Sequence, residues 1–228
     1  MSDTPRPPQA QTQDTVRTAY DTVAADYARS MPDTSPEHPL DLTLLDTFIA
    51  AVGTEPILDA GCGAGRISRY LADRGGRVVG VDLSPQMIAQ GRALHPDLDL
   101  SVASITDLPH GGASFGGVLL WYSTIHLSEA DLGRALDEAV RVVAPDGYVL
   151  VAFQSGVGTR DLFRQYSQHG HDVTLERYLR TPDEMAEQLA ARGMTEVVRL
   201  VRSGTEIDRD GQTMLLHRRS DSGPHRNL

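Results

Sequence analysis

The 228-residue sequence predicts one α/β domain built on a doubly wound sheet, with five parallel strands, a C-terminal antiparallel hairpin and helices on both faces. Three observations carry this. Short apolar runs of strand length alternate with segments of helical period, the pattern of parallel crossovers. The first run leads through a glycine-rich turn into a helix, and the second ends on an acid. A composition of 40% hydrophobic and 23% charged residues suits a chain that buries a core, and open α/β sheets reach this length as single units.

Residues 1–11 are polar and proline-rich, and 220–228 read SDSGPHRNL; both are expected to be disordered, leaving 12–219 as the domain. From Thr12 to Met31, Val16, Tyr20, Val23 and Tyr27 recur three or four residues apart and form one helical stripe, which Pro32, Pro36 and Pro39 end. A second helix from about Leu40 carries Leu44, Leu45, Phe48 and Val52 and stops at Gly53. Five buried strands follow at 56–61, 78–82, 98–102, 117–122 and 148–153, each a nearly continuous apolar run. Between them, Ile67, Tyr70 and Leu71 share a helical face, Ser84 caps a helix with Pro85 at its first position, and Ser128 opens another through Leu132, Leu136 and Val140. Residues 154–180 form an insertion with a possible strand in VTLERYL. Thr181 and Glu184 make a capping box for a helix running to Gly193. Two strands at about 195–202 and 212–218, with Asp210-Gly211 as turn residues, complete a hairpin at the sheet edge.

Lysine plus arginine number 21 against 31 acids, and the formal charge of −10 with scattered arginines argues against a nucleic-acid partner. The single cysteine, Cys62, excludes an internal disulfide and a multi-thiolate metal site. The sequence opens without a basic segment followed by an apolar core, and no apolar run approaches the roughly 20 residues of a membrane span. A cytoplasmic protein without export or membrane segment is expected.

LDAGCGAGR, Leu58 to Arg66, is the most informative stretch, because alternate glycines let a ligand approach the backbone at a helix start. Dinucleotide sites use G-x-G-x-x-G, but Arg66 stands at the third glycine position. Asp59 would repel a pyrophosphate, so the loop favours a cationic ligand. Asp82 ends the next strand about 20 residues after the first glycine, where an acid can take both hydroxyls of a ribose; a helix-capping role is the alternative.

LDAGCGAG resembles motif I of the class I S-adenosylmethionine-dependent methyltransferases, in the small-molecule branch that includes the menaquinone-type enzymes. The resemblance implies a Rossmann-like fold, S-adenosylmethionine as cofactor with S-adenosylhomocysteine as product, and a small-molecule acceptor. It places Asp59, Gly61, Cys62, Gly63 and Gly65 on the amino-acid end of the cofactor and Asp82 on its ribose. SPQMI resembles the following family segment and sets Leu83 or Met87 against the adenine. In ASITDLPH (103–110), Ser104 stands where the family often has an acid, leaving the backbone around Ser104 and Ile105 to recognise the adenine. Phe115-Gly116 replaces a family Phe-Asp, a departure expected to be structural. TAYDTVAADYA (18–28) resembles the family's N-terminal lid, assigned here to 12–53, in which Tyr20 and Tyr27 cover the cofactor; core packing is the rival role for both. The match covers about 55–153, more loosely 12–31 and 181–218, and leaves out the insertion, which is placed on the substrate side.

The reaction implied is an in-line displacement in which positive charge disperses, so alignment in a dry pocket supplies most of the acceleration. WYSTIHL (121–127) is expected beside the methyl group, with Trp121 and Tyr122 as aromatics near the sulfonium and acceptor. His126 is the candidate general base, with bonding to local backbone as the alternative. His169 and His171 are expected in the substrate wall; with Asp172 they make weak ligand geometry, and no metal is assigned. Cys62 carries no catalysis. Two other classes remain open: a cofactor-binding regulatory protein without turnover, and a nicotinamide-dependent oxidoreductase, disfavoured by Arg66. The methylated atom (O, N or C) and the oligomeric state are left open.

Overall fold

The structure, a computed structural model, describes residues 11–168, 170–204 and 210–220. The elements in order are α1 (Gln13–Ser30), α2 (Pro39–Val52), β1 (Pro56–Ala60), α3 (Arg66–Asp73), β2 (Arg77–Asp82), α4 (Pro85–Leu94), β3 (Asp99–Val102), β4 (Phe115–Trp121), α5 (Glu129–Val142), β5 (Val143–Ser155), β6 (Gly158–Asp161), α6 (Phe163–Ser167), β7 (Glu176–Leu179), α7 (Pro182–Ala190), β8 (Met194–Arg202) and β9 (Gly211–Arg219). Seven strands form one sheet in the order β3-β2-β1-β4-β5-β9-β8. The first five pair in parallel, and β9 and β8 add antiparallel strands beside β5. The chain winds outward from β1 through β2 to β3, then crosses back to β4. That reversal leaves a crevice beyond the carboxyl ends of β1 and β4.

Pleat alternation divides each strand between two cores. Val118 and Leu120 of β4, with Val149 and Val151 of β5, pack on one face against Leu132 and Leu136 of α5 and Met185 and Leu189 of α7. Leu119 and Trp121, with Leu150 and Ala152, pack on the other against Leu45 and Phe48 of α2 and Ile67 and Leu71 of α3. Burial on both faces explains why these strands read as unbroken apolar runs.

The caps behave as their chemistry demands. Ser84 Oγ accepts from the Met87 amide at 3.0 Å, Ser128 caps α5, and Thr181 and Glu184 complete a reciprocal box. α7 stops at Ala190, short of Gly193, as Arg192 and Gly193 form tighter turns.

Four expectations change. Gln11, assigned to the disordered start, is buried and bonded to two distant backbone groups. Residues 1–10 and 221–228, the rest of the two segments expected to be disordered, lie outside the described residues apart from Ser220, whose amide donates to Gly193. The insertion contains an antiparallel ribbon, β6 with β7, of which only the second strand was anticipated; β6 is exposed throughout and lacks an apolar signal. Asp210-Gly211 is not a tight turn, because β8 ends at Arg202 and Asp210 is itself buried.

Gly116, the departure from the family's aspartate, is explained by packing: a Cβ there would lie 2.3 Å from Glu55 Cβ. The end of α2 is seated on β4 through this gap. Gly116→Asp should therefore lower stability by about 1–3 kcal/mol through overpacking, measured by urea denaturation; an unchanged midpoint would show that this seating is not required.

Candidate active site

A cavity of about 1460 Å³ opens at the crevice, bounded by the ends of β1, β2 and β4, by α1, and by the β6–β7 ribbon. Single-ligand pockets are commonly about 300–1,000 Å³, so this volume accommodates a cofactor together with an acceptor.

The glycine turn forms one end. Gly61, Gly63 and Gly65 have φ of +88°, +56° and +84°, a region costly for other L-residues. The Gly61 and Cys62 amides both donate to the Val81 carbonyl, at 2.7 and 2.9 Å, tying the turn to the end of β2. Gly61 must lack a side chain, since a Cβ would fall 2.2 Å from Ser123 Cβ. At Gly63 a Cβ would meet only the Tyr27 ring, at 4.0 Å, so this backbone faces the cavity.

Two acids mark the same end. Asp82 accepts from the Gly63 amide at 2.9 Å and the Ser84 amide at 2.8 Å; burial raises its pKa and these bonds oppose the rise. Asp59 accepts from Ser68 Oγ at 2.6 Å, and burial lifts its pKa to about 6, with the Asp82 charge adding to the rise. A cation placed here would favour the charged form of both carboxylates. Arg66 is ion-paired to Glu37 at 2.6 Å, so the position that excludes the dinucleotide pattern carries a neutralised arginine.

Leu83, Met87, Ser104 and Ile105 all line the cavity. Met87 is also packed among Ala19 and Val23 of α1, and Ser104 Oγ donates to Gln13 Oε1 at 2.7 Å. Cys62 reaches the lining, but its side chain packs with Ile88 and Leu100 beneath the turn, and burial pushes the thiol pKa well up. This leaves no activated nucleophile.

Tyr20 and Tyr27 meet edge to face with centroids 6.5 Å apart. His126, at the end of the β4 segment, lies with Nδ1 2.6 Å from the Glu176 carbonyl and Nε2 3.0 Å from the Tyr20 hydroxyl. A carbonyl only accepts, so Nδ1 carries the proton and Nε2 receives the Tyr20 O–H. Burial, with a smaller contribution from the Arg177 charge, lowers the His126 pKa to about 4. The imidazole anticipated as a general base is thus a neutral, doubly bonded group whose accepting nitrogen is occupied by Tyr20. Gln11 locks the same corner: its amide donates to the His126 and Glu176 carbonyls at 2.8 and 3.1 Å and accepts from the Glu176 amide at 2.7 Å.

Trp121 and Tyr122 both line the cavity. Trp121 Nε1 is a buried donor without a partner among the described residues, and Ser123 Oγ and the accepting Gln154 Oε1 on the same walls also have none. Tyr122 has φ of +56° and donates its hydroxyl to Gln212 Oε1 at 2.7 Å; such backbone strain clusters at functional sites. His171 is absent from the lining and pairs with Asp26 of α1 at 2.7 Å, while His169 lies outside the described residues. Among the described residues no group of three or more His, Cys, Asp or Glu converges as a metal site, and no helix is long and apolar enough to cross a membrane. Gln11, Gln154, Arg160, Arg177 and Asp210 were not anticipated as site residues; no motif in the sequence marks them for a site, and only folding brings them to one cavity.

The chain is similar to known proteins over much of its length. A family model described as a methyltransferase domain matches residues 57–147. The malonyl-[acyl-carrier protein] O-methyltransferase of Pseudescherichia vulneris is 30% identical over 172 residues, covering 74% of this chain and 67% of that protein. The demethylmenaquinone methyltransferase of Beutenbergia cavernae is 38% identical over 108 residues, 47% of this chain and 44% of the relative. The chain spans about half the length of other curated relatives it matches, 43% and 49%. The crystal structure of Burkholderia thailandensis 1,6-didemethyltoxoflavin-N1-methyltransferase, with bound 1,6-didemethyltoxoflavin and S-adenosylhomocysteine, superposes with a TM-score of 0.71 at 22% identity, covering 96% of this chain and 94% of that one; at this identity the likeness speaks for the fold. The chain belongs to the class I S-adenosylmethionine-dependent methyltransferases, in their small-molecule group.

The buried pair of titrating groups makes a pH prediction. His126 has a folded pKa below its unfolded value, so its contribution to stability is lost as pH falls from about 6.5 towards 4. Asp59, raised to about 6, acts in the opposite sense over a similar window. His126→Gln should gain stability relative to the parent on acidification from pH 7 to 4.5, by up to about 3 kcal/mol, in urea titrations at each pH. A difference independent of pH would show that His126 is not held neutral.

Proposed function

We propose that the protein transfers a methyl group from S-adenosylmethionine to a small organic acceptor. The observation that carries this reading is that the glycine turn and the Asp82 carboxylate open on one cavity whose shared end is acidic. S-adenosylmethionine, when bound, supplies a methyl carbon on a sulfonium, activated for displacement. Asp59 and the Gly61–Gly65 turn suit its cationic amino-acid end, Asp82 its ribose, and Leu83, Met87, Ser104 and Ile105 its adenine. Trp121 Nε1, an unpartnered donor on the cavity wall, suits either ligand.

We assign α1 and α2 the role of a lid over the cofactor end and residues 154–180 that of the acceptor wall, within a single domain spanning 12–219. Tyr27 beside Gly63 covers the turn, and Tyr20 is held by His126 facing the acceptor side. In this reading His126 orients the Tyr20 hydroxyl, whose own pKa is raised well above its usual value by burial and by the neighbouring Tyr166 and Tyr27 phenols. Alignment and exclusion of water then carry the rate. The −10 charge favours a small molecule over nucleic acid, and the lone cysteine suits a reducing, cytoplasmic setting.

Calorimetry with S-adenosylmethionine tests the reading. Asp82→Asn and Gly63→Ala should each weaken binding at least tenfold with the melting temperature little changed for Asp82→Asn; Gly63→Ala also strains a positive φ, at a cost of about 1 kcal/mol. Unchanged affinity in both would refute the site, and tight NAD binding in its place would refute the function. Because Asp59 titrates near 6, affinity should fall as pH drops through about 6, and Asp59→Asn should flatten that dependence; a parent profile flat from pH 7 to 5 would remove Asp59 from the cofactor site.

A further inference from the structure

Several polar side chains around the far end of the cavity are answered within the protein. Arg202 is forked to the buried Asp41 at 2.7 and 3.1 Å, Arg160 and Arg177 lie against Asp210 at 2.6 and 3.1 Å, and the Tyr122 hydroxyl donates to Gln212 at 2.7 Å. Two uncharged side chains differ. Trp121 (6% exposed) and Gln154 (8% exposed) both line the cavity, yet Trp121 Nε1 and Gln154 Oε1 have no hydrogen-bond partner among the described residues. A buried polar atom left without a partner costs free energy, and a fold keeps one where something else completes the bond.

The two belong to one face of the sheet. Pleat alternation sets Trp121 with Leu119, and Gln154 with Leu150 and Ala152, on the side packed against α2 and α3. Trp121 pairs with Ala152, so Gln154 is its diagonal neighbour, two residues further along β5. There β4 ends and the chain turns away at Tyr122, with φ of +56°, whereas β5 runs on to Ser155. Gln154 pairs with Gln212 of β9 and has no partner on β4. The acidic end of the cavity, with the glycine turn after β1 and Asp82 on β2, lies across β4 from Gln154 in the strand order. Gln154 therefore stands away from the cofactor end, with Trp121 between.

We propose that Trp121 and Gln154 select a methyl acceptor that presents an uncharged amide edge, a carbonyl beside an N–H. The indole N–H donates to the carbonyl, and the Gln154 oxygen accepts from the N–H. The inference rests on the methyltransferase reading for calling this ligand the methyl acceptor, but the two open hydrogen-bonding positions do not depend on it. An indole nitrogen only donates and an amide oxygen only accepts, so the pair demands one acceptor and one donor from its ligand. A site that buries such atoms rejects an analogue lacking either group, because the unanswered atom stays out of water.

The test uses the full chain saturated with S-adenosylhomocysteine and, in parallel, without it. 2-Pyridone, 2-quinolone and benzamide are titrated by ligand-observed NMR beside their fully N-methylated forms, and phenol beside anisole. At least one N–H form should bind, with its N-methylated form at least about tenfold weaker. Gln154→Met should weaken that probe about tenfold with S-adenosylhomocysteine affinity unchanged, and Trp121→Phe should weaken it at least about threefold. Without ligand, Gln154→Met should raise the melting temperature by about 2–4 °C, since an unanswered oxygen gives way to an apolar atom of similar size. Equal binding of the N–H and N-methylated forms, binding of none of the amides, binding of phenol alone, full affinity in Gln154→Met, or a lowered melting temperature in that variant would overturn the proposal. Failure of S-adenosylhomocysteine to bind, with amide binding retained, would instead overturn the methyltransferase reading.

Discussion

The site depends on how the glycine turn is fastened to the end of β2. Three amides of the turn, from Gly61, Cys62 and Gly63, are spent on Val81 and Asp82. This fixes the path of the chain as it leaves β1, and it orients the Asp82 carboxylate at the same time. A buried carboxylate without such donors would not hold its charge. One hydrogen-bond cluster thus both builds the cradle and opposes the rise that burial imposes on the Asp82 pKa. The neighbouring strand enters through Ser123, whose close approach demands glycine at 61. β1, β2 and β4, the strands around the topological reversal, therefore meet at this one turn.

Much of the fold was legible because its signals are local. The central strands β1, β4 and β5 are largely buried on both faces, so each carries an apolar run bounded by punctuation, and the caps at Ser84, Ser128 and Thr181 sit where side-chain oxygens meet free amides. The glycine turn was legible for the same reason: its three glycines fall within five residues, and Asp82 closes the adjacent strand. What escaped depends on register. Arg160 and Arg177 become neighbours only through pairing of two segments with no apolar alternation. Asp210 sits in a dipeptide that signals turns, yet it is drawn inward by two cations. The Tyr20–His126 bond spans 106 residues, and no spacing rule in either helix or strand announces it.

His126 shows how a position can be singled out from sequence while its chemistry still needs the structure. Position at the end of a central strand marked it out, and the usual histidine pKa suggested proton transfer. Burial and the Glu176 carbonyl redirect it. Losing solvent costs the charged form more than the carbonyl bond returns, so the ring is neutral over the working range. Its accepting nitrogen is taken by the Tyr20 hydroxyl at 3.0 Å, a matter of geometry more than of basicity.

Gln11 has a further consequence. Its side chain makes three bonds to main-chain atoms of His126 and Glu176, two residues that also meet directly through the His126 ring. It sits immediately before α1, where a helix frays most cheaply. The start of α1 is thereby tied to the corner of the cavity through main-chain atoms of residues 126 and 176, and so to the loop after β4 and to the β6–β7 ribbon at once.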